Sequence, residues 1–138
     1  MRIGDPRLPE GIKTYYANYL GGHVEYPKSR GCGINLHDDR LELYFEEKSF
    51  FSDGFEKKQT LIISYQSMTS IENANEDRIS AMRVAMLGII GGLWKKKHVY
   101  TVIQYKDEIG ERTIVLDFGK KIDEAQPLIY HKMLDYRK

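Results

Sequence analysis

Hydrophobic and polar side chains alternate along most of this chain, in short segments separated by turn-forming residues. Alternation with a period of two is typical of a β-strand that buries one of its faces. The segments follow each other with short connections, and residues 107–111 have the length of a hairpin loop between the last two. The pattern therefore predicts an antiparallel sheet of six or seven strands. Clear alternation covers residues 14–20, 32–36, 41–45, 60–65, 98–106 and 112–118, and residues 66–71 predict a bend into a further short strand. In the last two strands the alternation places Val99, Thr101, Ile103 and Tyr105 on one face, and Ile114, Leu116 and Phe118 on one face.

The C-terminal segment changes from this period to a helical one. Its apolar residues recur every three or four positions, which predicts an amphipathic helix that packs one side on the sheet. Asp123 is the expected N-cap, and Pro127 falls near the first turn, where proline costs least. The predicted buried stripe consists of Ile122, Ala125, Ile129, Met133 and Tyr136.

The longest apolar run lies between these two patterns. Residues 84–94 contain no charged side chain, and three lysines follow them directly. Asn73 and Glu76 have the spacing of a capping box, which predicts that a helix begins just before the run. A helix that is apolar on every side must be buried in protein or in lipid. One face of this helix would carry only small residues, namely Ala81, Ala85, Gly88 and Gly92.

The apolar run is too short to cross a membrane as a helix. Residues 84–94 would extend over about 16 Å, roughly half of a 30 Å hydrocarbon core. The run could instead lie at a membrane interface, with Trp94 at the level of the headgroups and the lysines on anionic lipid. The residues expected to contact a membrane or a membrane protein are Leu87, Ile90, Leu93, Trp94, Lys95, Lys96 and Lys97.

Two other positions for the same helix remain open. It could pack on its own domain, with the lysines complementing the negative end of the helix dipole. It could also pack on a second copy of the chain through the small-residue face, which allows two backbones to approach closely. The sequence does not distinguish these arrangements, because protein and lipid both exclude water.

The predicted fold class is mainly β, with a minor α component. We expect a bent antiparallel sheet or partly open barrel, closed by the C-terminal helix and interrupted by an inserted apolar helix before the last two strands. One domain fits a chain of 138 residues. Residues 1–13 contain too many prolines and glycines for a regular element, so they are expected to form an arm. The domain then comprises residues 14–138, with the insertion at residues 76–97.

The composition narrows the classes of partner and the cellular compartments that fit this chain. Lys and Arg together number 21 and Asp and Glu 20, and this net charge of +1 argues against a nucleic-acid partner. Cys32 is the only cysteine, so an intramolecular disulfide cannot form and a reducing compartment is expected. The N-terminus lacks the apolar core of a secretory signal. These features favour a cytoplasmic protein, either free or peripheral to the inner face of the membrane.

The sequence shows no clear arrangement of catalytic or metal-binding residues. The four histidines His23, His37, His98 and His131 lack the short spacing of metal ligands, and no second cysteine completes a zinc site. Acidic residues after His37 are expected in a hairpin turn for backbone reasons. The glycine pairs lack the Gly-Lys-Ser/Thr ending of a phosphate-binding loop. We therefore expect no enzymatic activity, no metal and no cofactor.

Several segments resemble prokaryotic pleckstrin-homology-like (PH-like) domains. The resemblance rests on residues 21–27, on Ile34, Asn35 and Leu36, on the glycine-rich apolar run before the lysines, and on the strand at residues 99–105. It implies a non-catalytic scaffold that binds protein, peptide or membrane. In phosphoinositide-binding relatives, basic residues of the first interstrand loop hold the phosphates, which makes Lys28 and Arg30 the candidate anion contacts here.

The resulting functional hypothesis is a non-catalytic binding module. Residues 84–97 would contact an anionic membrane face or a membrane protein. The alternative is a self-assembling structural protein, a homo-oligomer that forms through the same helix.

Overall fold

The computed structural model describes residues 12–23, 30–48, 56–81 and 98–136. Within these ranges the chain forms seven antiparallel strands in one open sheet, two α-helices and two short 3-10 helices. The predicted mainly β class, with a C-terminal helix, is therefore confirmed. The elements are β1 Lys13–Gly21, β2 Arg30–Leu36, β3 Arg40–Lys48, β4 Glu56–Ser64, β5 Met68–Ala74, α1 Glu76–Ala81, β6 Tyr100–Lys106, β7 Glu111–Asp117 and α2 Ile122–Tyr136, with 3-10 helices at Tyr65–Ser67 and Gly119–Lys121.

The sheet consists of two meanders joined side by side. Its strand order is β4-β3-β2-β1-β7-β6-β5, so β1 to β4 form one meander and β5 to β7 the other. The first and last strands of the chain, β1 and β7, pair in the middle, where Tyr19 lies opposite Leu116. The register then shifts between Tyr19 and Gly21, where β1 contains a bulge. This central pairing brings together two strands that are far apart in the sequence.

The main core lies between one face of the sheet and α2. Alternate residues of the strands point into it, including Ile34, Leu43 and Ile103, all fully buried. The helix contributes Ala125, Ile129 and Met133, which confirms the centre of the predicted stripe. The two ends of the stripe are less buried: Ile122 is half-buried and Tyr136 is 41% exposed, although the Tyr136 ring lies 5.9 Å from that of Tyr65.

A second hydrophobic cluster covers the opposite, outer face of the sheet, on the half formed by β1, β7, β6 and β5. Because neighbouring residues of a strand point to opposite faces, Val102 and Val115 lie on this side while Ile103 and Ile114 face the main core. Helix α1 adds Ile79, which is only 1% exposed. This outer cluster, absent from the predictions, comprises Leu20, Ala74, Ile79, Tyr100, Val102 and Val115.

The structure corrects both predicted helix caps. Asn73 belongs to β5, and its side chain accepts a hydrogen bond from the Thr101 hydroxyl. Asn75 caps α1 instead, because its side-chain oxygen accepts from the backbone N–H of Arg78. Asp123 lies inside the first turn of α2, after the 3-10 helix Gly119–Lys121. The 3-10 turn explains the error, because the chain already follows a helical path before Asp123, the residue that was expected to begin the helix.

Gly22 shows why a glycine is needed beside the bulge. Its φ angle of +112° is unfavourable for any residue with a side chain. A Cβ atom at this position would also collide with the backbone carbonyl of Thr113 on β7. The close approach of β1 to β7 therefore depends on Gly22.

Candidate functional site

The two strands that flank the apolar run in sequence, β5 and β6, meet where the run is inserted. Ala74 at the end of β5 and Tyr100 at the start of β6 are register partners. The two ends of the intervening segment are therefore adjacent. Both ends are attached to the outer face of the sheet, because Ala74 and Tyr100 belong to the outer cluster.

Helix α1 fixes the beginning of this segment. Its first turn carries Glu76 and Asp77, whose negative charges stabilise the helix by interacting with the positive end of its dipole. Arg78 reaches back to Glu72 on β5, with two nitrogen-to-oxygen distances of 3.3 Å, but this pair is exposed and contributes little to stability. The stronger attachment is the burial of Ile79 in the outer cluster.

His98 fixes the end of the segment, directly after the three lysines. Its Nε2 atom lies 2.7 Å from Oδ1 of Asp117, and its ring packs edge-to-face on Tyr100 at 4.8 Å between centroids. Asp117 is buried, and its Oδ1 also accepts the backbone N–H of Gly119 at 2.9 Å. The residue after Lys97 is thus held on β7 by a charged, buried acceptor.

Most of the predicted contact residues fall in a part of the chain that the structure does not describe. Leu87, Ile90, Leu93, Trp94, Lys95, Lys96 and Lys97 lie outside the described residues, as do Ala85, Gly88, Gly92 and Lys28. Ala81 is the last residue of α1. For the helix predicted over residues 76–97, the structure describes only Glu76–Ala81.

Arg30, the other candidate anion contact, is the first residue of β2. Arg30 and Cys32 are two residues apart in this strand, so their side chains lie on the same face of the sheet, the side of the main core. Its guanidinium carbon lies 4.5 Å from the centre of the Phe45 ring, a cation–π contact. Its described contact is therefore with an aromatic ring of the protein itself.

The pairing of Ala74 with Tyr100 leads to a prediction about the inserted segment. Replacing residues 84–93 with a short polar linker should leave the β-sheet signal in circular dichroism intact, because the strands on either side already meet. The free energy of unfolding should fall by much less than in a variant with a truncated core residue. Urea denaturation measures this difference, and loss of the folded state would show that the segment belongs to the core.

A buried polar network crosses β1, β2 and β3 on the outer face of the other meander. Asn35, with no exposed surface, accepts a hydrogen bond from the Thr14 hydroxyl and donates one to Glu42 at 2.9 Å. His37 Nε2 lies 3.0 Å from the same Glu42 oxygen. Burial alone would raise the pKa of Glu42, but the hydrogen bonds with His37 and Asn35, together with the electrostatic attraction of His37 and Arg40, outweigh it and lower the pKa. Every polar member of the network thus has a partner within it.

Cys32 and Tyr15 are both held in their protonated forms at neutral pH. Burial raises the pKa of the Cys32 thiol to about 12, so the reactive thiolate is scarce at neutral pH. Burial also raises the pKa of Tyr15 to about 12, and the Tyr15 hydroxyl donates a hydrogen bond to Glu124 at 2.8 Å. Among the described residues, no group of three or more His, Cys, Asp or Glu side chains could hold a metal ion.

A shallow cleft of about 190 Å³ lies on the outer face beside the His98–Asp117 contact. It opens where β1 and β7 stop pairing, since Asn18 and Asp117 are the last partners before the chain turns into the 3-10 helix. Sequence reasoning missed this place, because its residues are about a hundred positions apart and only the register of β1 and β7 joins them. The cleft is lined by Tyr16, Ala17, Asn18, Asp117, Phe118 and Gly119.

Comparison with protein-family models found no match, and neither did comparison with curated proteins. No helix in the described part of the chain is both long enough and apolar enough to cross a membrane.

Proposed function

We propose that this protein is a non-catalytic binding module of the PH-like class, which contacts an anionic membrane face through residues 84–97. The strand order supports the class: two antiparallel meanders share one sheet, and a C-terminal helix packs on the main core. A scaffold of this kind supplies a stable framework from which one segment can extend.

One observation carries the proposal. The residues that flank the apolar segment on the sheet, Ala74 and Tyr100, are paired with each other, and the described residues next to them are anchored by the burial of Ile79 and by the His98–Asp117 contact. A segment held at both ends can present an apolar surface without disturbing the sheet. Its sequence ends in Trp94 and three lysines, which suits the boundary between hydrocarbon and anionic headgroups.

The expected binding is both hydrophobic and electrostatic. Each lysine near an anionic surface contributes about 1 kcal/mol, so three of them would strengthen partitioning roughly a hundredfold. The attraction should weaken as salt shortens the Debye length from about 10 Å at 0.1 M to about 3 Å at 1 M. Burial of the Trp94 ring adds a contribution that salt does not screen.

Vesicle binding tests the proposal. The protein should co-sediment with vesicles rich in anionic lipid and only weakly with zwitterionic vesicles. Because Trp94 is the only tryptophan, its fluorescence reports on this segment alone and should shift to the blue when anionic vesicles are added. Changing Lys95, Lys96 and Lys97 to glutamate should abolish binding, whereas Trp94→Ala should weaken it and preserve the salt dependence.

A control variant with a reversed charge elsewhere tests whether binding depends on the position of the lysines or only on the net charge of the protein. Lys106 is exposed at the opposite end of β6 from Tyr100, so Lys106→Glu should have a much smaller effect than reversing the charge of one of the three lysines. A Trp94 emission that vesicles leave unchanged would contradict the membrane proposal. A defined oligomer in light scattering without lipid, lost in Gly88→Leu, would instead assign the segment to self-assembly through its small-residue face.

A further inference from the structure

The cleft between β1 and the end of β7 contains a buried carboxylate whose second oxygen is still available. The side chain of Asp117 is only 8% exposed. Its two described hydrogen bonds, with His98 and with the N–H of Gly119, both involve Oδ1. Within the described part of the chain, Oδ2 has no hydrogen-bond donor. A carboxylate oxygen of this kind is a strong acceptor for a charged donor.

Two neighbouring side chains complete the cleft. Asn18, the register partner of Asp117, is exposed and offers both an amide oxygen and an amide NH₂ group. Tyr16 is 61% exposed and lies towards β2, where a Cβ atom at Gly31 would collide with the Tyr16 hydroxyl. Tyr16 and Asp117 nevertheless both line the cleft, on the same face of the sheet as Asn18.

We infer that this cleft binds a guanidinium group. A guanidinium is planar, carries five N–H donors and stacks on aromatic rings, so it can reach Asp117 and Asn18 while it lies against the Tyr16 ring. A carboxylate or phosphate ligand would meet the negative charge of Asp117. A primary ammonium would fit the charge but lacks the flat surface that matches the ring.

Two lysines of the described part of the chain follow the cleft in sequence, and they do not close it to a cation. Lys120 and Lys121 follow Gly119 and are both exposed, so their charges are screened by solvent. The ammonium of Lys121 also lies 3.5 Å from Glu124, on the side of α2. The source of the guanidinium is an arginine residue of a polypeptide or free arginine. The inference does not depend on membrane binding by residues 84–97.

Titration with N-acetyl-arginine amide, followed in amide NMR spectra, tests the inference. The backbone signals of Asn18, Asp117 and Gly119 should move together and saturate. N-acetyl-citrulline amide has nearly the same shape without the charge and should cause little change. Free arginine forms a separate arm: stronger binding of the capped residue points to a polypeptide partner, and stronger binding of free arginine points to a small metabolite.

Two variants separate binding from folding. Asp117→Asn keeps an oxygen that can accept from Gly119 but removes the charge, so the association constant should fall about tenfold. Tyr16→Ala changes an exposed residue and should weaken binding a few-fold through loss of stacking. Tyr130→Ala, at an exposed position of α2, is the control and should bind normally. An equal response to citrulline, or unchanged binding in both site variants, would overturn the inference.

Discussion

Ile129→Ala is expected to lower the free energy of unfolding by about 2–5 kcal/mol. Ile129 has no exposed surface and lies at the centre of the face that α2 presents to the main core. The substitution removes buried methyl and methylene groups and leaves a cavity that the sheet cannot fill completely. Urea denaturation of the variant and of the wild-type protein, monitored by circular dichroism, measures the loss.

Ile109→Ala is the matched control, because it makes the same chemical change in an exposed place. Ile109 lies in the β6–β7 hairpin loop and is 79% exposed. Its replacement should change the free energy of unfolding by less than about 0.5 kcal/mol. Similar losses in both variants would mean that α2 does not cover the core as described.

The alternation of apolar residues was a reliable guide to the main core. It predicted the strands and the burial of Ile34, Ile103 and Leu116, because a half-buried strand must place every second side chain on the same face. The helical period predicted the part of α2 that is buried. These features depend on local spacing, which is visible in a sequence.

The outer cluster was missed because strands β6 and β7 are buried on both faces. The predicted face of β6 included Val99, which precedes the strand and is 41% exposed. The prediction left Val102 and Val115 on the side facing solvent, although both have no exposed surface. Which second element covers a sheet depends on distant segments, here those that bring Ile79 of α1 into one cluster with Val102 of β6 and Val115 of β7. Local alternation does not contain that information.

The candidate sites, too, have one part that local sequence reveals and another that depends on the pairing of distant strands. The composition of residues 84–97 shows in the sequence that this segment is unusual, but gives no position for it relative to the sheet. The pairing of His98 with Asp117 follows from the register of β6 and β7, which sets the start of one strand beside the end of the other. The cleft at Asn18 depends on the pairing of β1 with β7, the longest-range contact of the sheet. No local pattern in the sequence marks either of them.

Glu42→Ala should be destabilising at neutral pH and much less so in acid. At pH 7 the substitution removes the acceptor shared by Asn35 and His37, and leaving a buried donor without a partner costs about 1–3 kcal/mol. The hydrogen bonds with His37 and Asn35 help to hold the folded-state pKa of Glu42 below its ordinary value of 4.5. The unfolded state therefore binds the proton more readily, so the stabilisation by the charged form is present above about pH 4.5 and is lost as the pH falls through the folded-state pKa.

The difference between wild-type and variant unfolding free energies should therefore be large at pH 7 and shrink towards pH 3. Urea denaturation at a series of pH values measures it. Glu108→Ala, at an exposed position in the β6–β7 loop, is the control and should change the free energy of unfolding by less than about 0.5 kcal/mol throughout. A loss in Glu42→Ala that stays constant from pH 7 to pH 3 would mean that the side chain stabilises the sheet by packing, and that its charge is not what holds Asn35 and His37 together.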